Sequence, residues 1–108
     1  MCNKVHVHII VNYLYEVDNG VLPEPERFSC ELDRERVEKI INIFKKYGTR
    51  LRENHYVLTL PSGDVVELFI DSSGVTFLYH AYERKSIYDI EDILHEIEIV
   101  EYVYNIHD

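Results

Sequence analysis

The sequence predicts an α+β domain, an antiparallel sheet of five or six strands with two helices packed on one face. Three observations lead there. Residues 4–16 alternate apolar and polar with a period of two. Residues 37–47 and 87–97 carry apolar side chains at spacings of three and four. Between these helical stretches lie three short runs rich in β-branched and aromatic residues, divided by turn residues. With 108 residues, 46% of them apolar, the chain can bury one core and makes a single domain, residues 1–108.

In the first strand Val5, Val7, Ile9, Val11, Tyr13 and Tyr15 share one face, with His6, His8, Asn12 and Glu16 on the other. Asp18-Asn19-Gly20 and the prolines Pro23 and Pro25 make a long turn, after which Phe28, Cys30 and Leu32 alternate in a short second strand. Asp33 suits a helix N-cap, and Val37, Ile40, Ile41, Phe44 and Tyr47 form an apolar stripe behind it. Lys45 and Lys46 suit the last turn, and Gly48 suits a left-handed C-terminal cap. A meander follows over residues 55–60, 65–71 and 75–83. Its second turn, Ser72-Ser73-Gly74, reads as a three-residue hairpin with glycine in the left-handed position.

Keeping apolar residues opposite one another pairs Leu58 with Leu68, Tyr56 with Ile70, Leu68 with Leu78 and Phe69 with Phe77. That register sets His55 opposite Asp71 and His80 opposite Val66. It leaves two apolar stripes, one of Leu58, Leu68 and Leu78, the other of Val57, Phe69, Phe77 and Tyr79. Ser86 opens the second helix, with Asp89 completing a capping box and Ile87, Ile90, Ile93, Leu94 and Ile97 on the buried face. Residues 99–104, β-branched and aromatic, are expected to form a last strand, while a helix running on through Val100 and Tyr104 also keeps the apolar spacing.

Composition narrows the function classes. The formal net charge of −9 disfavours nonspecific attachment to nucleic acid or anionic lipid. No apolar run exceeds three residues, which excludes a membrane-spanning helix, and Lys4, His6, His8 and Asn12 interrupt any signal-peptide pattern. Two cysteines, Cys2 and Cys30, make neither a disulfide framework nor a metal-ligand spacing, so a cytoplasmic setting is expected. The lack of Gln and Trp beside abundant Ile, Tyr and charge is similar in composition to small proteins of thermophilic archaea and their viruses. No family motif is present.

Charge is segregated along the chain. Residues 34–52 hold seven cations, whereas residues 86–108 hold seven anions and no Lys or Arg. A surface of one sign steers encounter with a partner of the other. Asp89, Glu91, Asp92, Glu96, Glu98 and Glu101 are therefore the expected contact for a protein with a basic surface. The expected function is a small acidic protein-binding module, an inhibitor or regulator of virus or mobile-element type. One alternative is a metal-dependent hydrolase or nuclease using His6 and His8, which share a strand face and could share an ion. Another is a nucleic-acid-binding module using Arg34, Arg36, Lys39, Lys46, Arg50 and Arg52, with Tyr47 as a stacking group. If both helices cover the leucine stripe, Val57, Phe69, Phe77 and Tyr79 are left open and suit a homodimer through the sheet.

Other chemistry finds less support. His95-Glu96 begins a zinc-protease helix motif, but Ile99 stands where its second histidine belongs. No G-x-S-x-G occurs, and Gly20, Gly48, Gly63 and Gly74 read as turn or cap residues rather than a phosphate loop. No cofactor is expected.

Overall fold

The longest alternating run of the sequence becomes a central strand. The computed structural model describes residues 3–15, 20–82 and 89–105. Over these the chain runs β1 (Lys4–Tyr13), β2 (Glu26–Asp33), α1 (Arg34–Tyr47), β3 (Thr49–Arg52), β4 (His55–Thr59), β5 (Val65–Asp71), β6 (Gly74–Ala81), α2 (Ile90–Glu98) and α3 (Val100–Asn105). The strands form one six-stranded sheet in the order β2-β1-β6-β5-β4-β3. Every neighbouring pair is antiparallel except the interior strands β1 and β6, which run parallel. No helix among the described residues is long and apolar enough to cross a membrane.

One face of the sheet makes the core. Val7, Ile9 and Val11 of β1, Leu58 of β4, Val66 and Leu68 of β5, and Val75, Phe77, Tyr79 and Ala81 of β6 are all buried there. Val37, Ile40, Ile43 and Phe44 of α1, Ile93, Leu94 and Ile97 of α2, and Val100 of α3 complete the same cluster. The Phe44 ring lies 5.8 Å from that of Phe77, and the Tyr104 hydroxyl donates to the Thr59 carbonyl at 2.8 Å. All three helices thus cover one side, as the period-3.6 stripes require. Each large side chain so buried contributes about 1.5–3 kcal/mol.

The meander corrects the expected register. Leu58 pairs with Val66 and Tyr56 with Leu68, two residues away from the expected match, so the faces of β4 and β5 are preserved. Between β5 and β6 the difference is one residue, and faces change. Asp71 pairs with Gly74, leaving a two-residue loop, and Leu68 meets Phe77 while Val66 meets Tyr79. Phe77 and Tyr79 are consequently 0% exposed, and the proposed open stripe of Val57, Phe69, Phe77 and Tyr79 does not exist. The shorter loop is held by the Asp71 carboxylate. It accepts from the Ser73 amide at 2.7 Å, the Ser73 hydroxyl at 2.6 Å and the Gly74 amide at 3.0 Å. Gly74 has φ +151°, and a Cβ there would lie 2.1 Å from the His6 carbonyl oxygen. The close approach of β1 demands glycine at this position.

Three further expectations change. Residues 100–105 form α3 rather than a strand, because Ile97, Val100 and Tyr104 continue the buried face of α2, and packing outweighs β-propensity. The sixth strand is instead β3, fully exposed and without alternation, joined to β4 through Asn54 at φ +63°. Gly48 is extended rather than left-handed; its Cβ would meet the Val57 carbonyl at 2.4 Å. Asp33 does precede α1, but its carboxylate takes Lys4 Nζ at 2.7 Å and makes no cap hydrogen bond. The capping box of α2 is formed by Asp89 and Asp92. The expected Ser86 and Ile87 start lies outside the described residues.

Among the described residues one polar side chain is sealed into the core. Asp64, 2% exposed, accepts from the Tyr79 hydroxyl at 2.9 Å and the Tyr82 amide at 3.0 Å. Replacing it with Ala removes the acceptor of both hydrogen bonds, and Asp64→Ala should destabilise the fold by about 1–3 kcal/mol in urea titration. Asp64→Asn, which keeps an acceptor, should cost less.

Candidate functional site

Alternation that buries one side of the sheet displays the other. His6, His8, Ile10 and Asn12 of β1, Thr76, Leu78 and His80 of β6, Val65, Glu67 and Phe69 of β5, and His55 and Val57 of β4 project away from the helices. Four of the six histidines in the chain stand on this open face.

Glu67 is its centre. Val57 and Leu78 flank it on the adjacent strands, and Val65 and Phe69 precede and follow it along β5. His80 Nε2 approaches one carboxylate oxygen at 2.7 Å and His55 Nε2 the other at 2.8 Å. The three side chains are 18–22% exposed. An ionised carboxylate only accepts, so both rings carry a proton on Nε2 and donate. The His55 ring also stacks on Phe69, with centroids 4.2 Å apart. These residues recur as ligands in metalloenzymes, but here the two imidazoles reach Glu67 from opposite diagonals and point at different oxygens. Among the described residues no three His, Cys, Asp or Glu side chains converge to hold an ion.

His6 and His8 do come together, with Nε2 atoms 3.1 Å apart and Ser29 Oγ 3.3 Å from His6 Nε2. His55 and Asp71, which could in principle supply a third ligand, are engaged elsewhere, and Glu16 lies outside the described residues.

The acidic segment meets a cation of its own chain. Arg36 on α1 grips Glu91 with two nitrogens at 3.0 and 2.9 Å, and Glu98 with two at 3.2 and 2.8 Å. The Arg36 guanidinium holds the Glu91 carboxyl below the usual glutamate range. Asp89 and Asp92 cap one another at the start of α2. Of the six carboxylates expected to face a partner, Glu96 and Glu101 are outside these arrangements.

The basic segment is spread out. Arg36 is occupied, Lys39 lies 3.7 Å from Glu35, Lys46 sits 5.2 Å from the Tyr47 ring centre, and Arg50 donates to the Arg52 carbonyl. Arg34 and Lys46 occupy opposite ends of α1, about 18 Å apart along its axis. A groove of about 410 Å³ separates α1 from α2 and α3, lined by Lys39, Lys46, Tyr47, Glu98, Glu101 and Tyr102. It brings both signs together instead of presenting one.

Sequence reasoning missed Glu67 and the clamp by Arg36. A lone carboxylate inside the apolar run of residues 65–70 was the available signal for Glu67, since such a residue needs partners on neighbouring strands.

Two measurements check this geometry. His80 chiefly, and His55 with it, hold the Glu67 carboxyl below its ordinary value by hydrogen bonding, against the opposing effect of burial. A folded value below the unfolded one means stability fully present above about pH 4.3 and lost as pH falls through the folded value. The stability gap between wild type and Glu67→Gln should therefore be constant near neutrality and close in melts taken below about pH 4.3. Arg36→Met should cost about 1 kcal/mol at low salt, and less as salt rises, because Arg36 and its partners are partly exposed. No known protein family, curated protein or solved structure matches this chain.

Proposed function

We propose that the chain is a small acidic protein-binding module that works by surface contact, and that the open face of its sheet is the contact. The first occupant is a second copy of the chain. One observation carries this reading: Ile10, Val57, Val65, Phe69 and Leu78 lie together on the open face, half-buried and uncovered by any described helix. Monomers rarely leave such a patch to water. Six strands spaced by about 4.8 Å and about six residues long give roughly 500 Å² of face. Two copies bury about 1,000 Å², the lower bound for a stable interface.

Charge favours the same face. Three cations, Lys4, Arg27 and Arg52, stand there with four anions, Glu31, Asp33, Glu67 and Asp71, a small share of the net −9. Repulsion between copies is thus concentrated elsewhere. The chemistry-bearing trio of His55, Glu67 and His80 satisfies itself, and none of these residues lines the grooves at Lys39–Tyr102, Arg34–Glu98 or Lys4–Val75. Glu96 and Glu101 keep an acidic flank for a basic partner once a dimer has formed. A regulator of virus or mobile-element type, acting in the cytoplasm, fits these properties.

Analytical ultracentrifugation tests the proposal. The wild type should sediment as a dimer, and Leu78→Glu or Ile10→Glu should weaken association by about 30–100-fold, the loss of one central apolar anchor. A wild type that stays monomeric at millimolar concentration overturns the reading, as does a Leu78→Glu chain that dimerises unchanged.

A further inference from the structure

Residues two apart on a strand point to the same side, so His6 and His8 stand together on the open face. Their rings meet edge-on at 80°, with Nε2 atoms 3.1 Å apart. Two nitrogens each about 2.1 Å from one ion, at an angle near 95°, are separated by about 3.1 Å. The pair therefore already has the bite of a two-imidazole chelate. Around it both signs are present: Lys4, held by Asp33, stands on one side, and carboxylates on others. Glu31 pairs with His6 across β2, and on the other side Gly74 pairs with both His6 and Asp71. Carboxylates thus stand at both ends of one row, and the position between His6 and Asp71 carries no side chain. Ser29 Oγ adds a neutral donor 3.3 Å from His6 Nε2.

We propose that His6 and His8 chelate a divalent transition-metal ion through their Nε2 atoms, with water in the remaining positions. Imidazole donors select copper, nickel and zinc over magnesium and calcium, which prefer oxygen, and the affinity order places Cu²⁺ above Ni²⁺ and Zn²⁺. The competing arrangement is an N–H···N hydrogen bond between the two rings. It needs a proton on one Nε2, whereas chelation needs both Nε2 lone pairs and places both protons on Nδ1. The two states exclude each other, which makes them separable by experiment. This site needs a single chain, and because the proposed pairing of copies would cover the same face, the Leu78→Glu chain serves as the monomeric host that separates the two proposals.

The test is calorimetric titration of the metal-free full chain with NiCl₂, and separately with CuCl₂, at neutral pH. One ion should bind per chain, copper more tightly than nickel. His6→Asn and His8→Asn should each weaken binding by at least about 10–100-fold, while His95→Asn on α2 leaves it unchanged. Paramagnetic broadening by Cu²⁺ gives a readout on the wild type that does not depend on any variant folding. Amide signals of Val7, Ser29 and Gly74 should broaden first. No heat of binding, affinity that survives both substitutions, or broadening centred elsewhere would overturn the assignment and leave the pair as a hydrogen bond.

Discussion

The length of the turn between β5 and β6 decides what the rest of the molecule can be. Side chains alternate along a strand, so one residue more or less in a hairpin exchanges the two faces of everything beyond it. Here the Asp71 carboxylate gathers the Ser73 amide and hydroxyl and the Gly74 amide, closing a loop of two residues. From the other side, β1 runs parallel to β6, and the His6 carbonyl occupies the place a Cβ at residue 74 would need. Glycine cannot then be moved one step along. With the turn fixed, Val75, Phe77, Tyr79 and Ala81 face the helices, and Thr76, Leu78 and His80 face away. A slip of one residue would bring Phe77 and Tyr79 to water, at about 1.5–3 kcal/mol each.

The same economy governs charge. Segregation of cations and anions along the chain suggested a surface waiting for something outside. Packing α1 against α2 places Arg36 between Glu91 and Glu98, so part of the segregation serves to join residues 55 and 62 positions apart in sequence. Its strength is modest, because Glu91 keeps most of its exposure. Its geometry is specific: a planar guanidinium holding two carboxylates fixes where α2 lies along α1.

The sequence made legible what depends on periodicity. β1, α1 and the strands of the meander follow from spacing alone, and so does the one-sided placement of the helices. It did not make legible what depends on register between elements. Pairing like with like is a sound rule where a face is uniform, but β5 reads Val65-Val66-Glu67-Leu68-Phe69-Ile70, apolar on both sides, and offers no unique match. The trio of His55, Glu67 and His80 was hidden for that reason, since each member sits on a different strand. His6 and His8 were visible because they share one strand and need no register at all. β3 escaped notice because its four residues are all exposed and so leave no alternating pattern.

The composition of the open face bears on the proposed contact. A face of lysines and glutamates would resist covering, because each charge must be stripped of water. A face of valine and isoleucine would not stay single. This one sets Thr76, Asn12 and imidazoles between the aliphatic side chains. Its central carboxylate is already held by two N–H donors. When another surface settles on it, Glu67 loses water but not its partners, and the penalty for burying an unpaired charge does not arise.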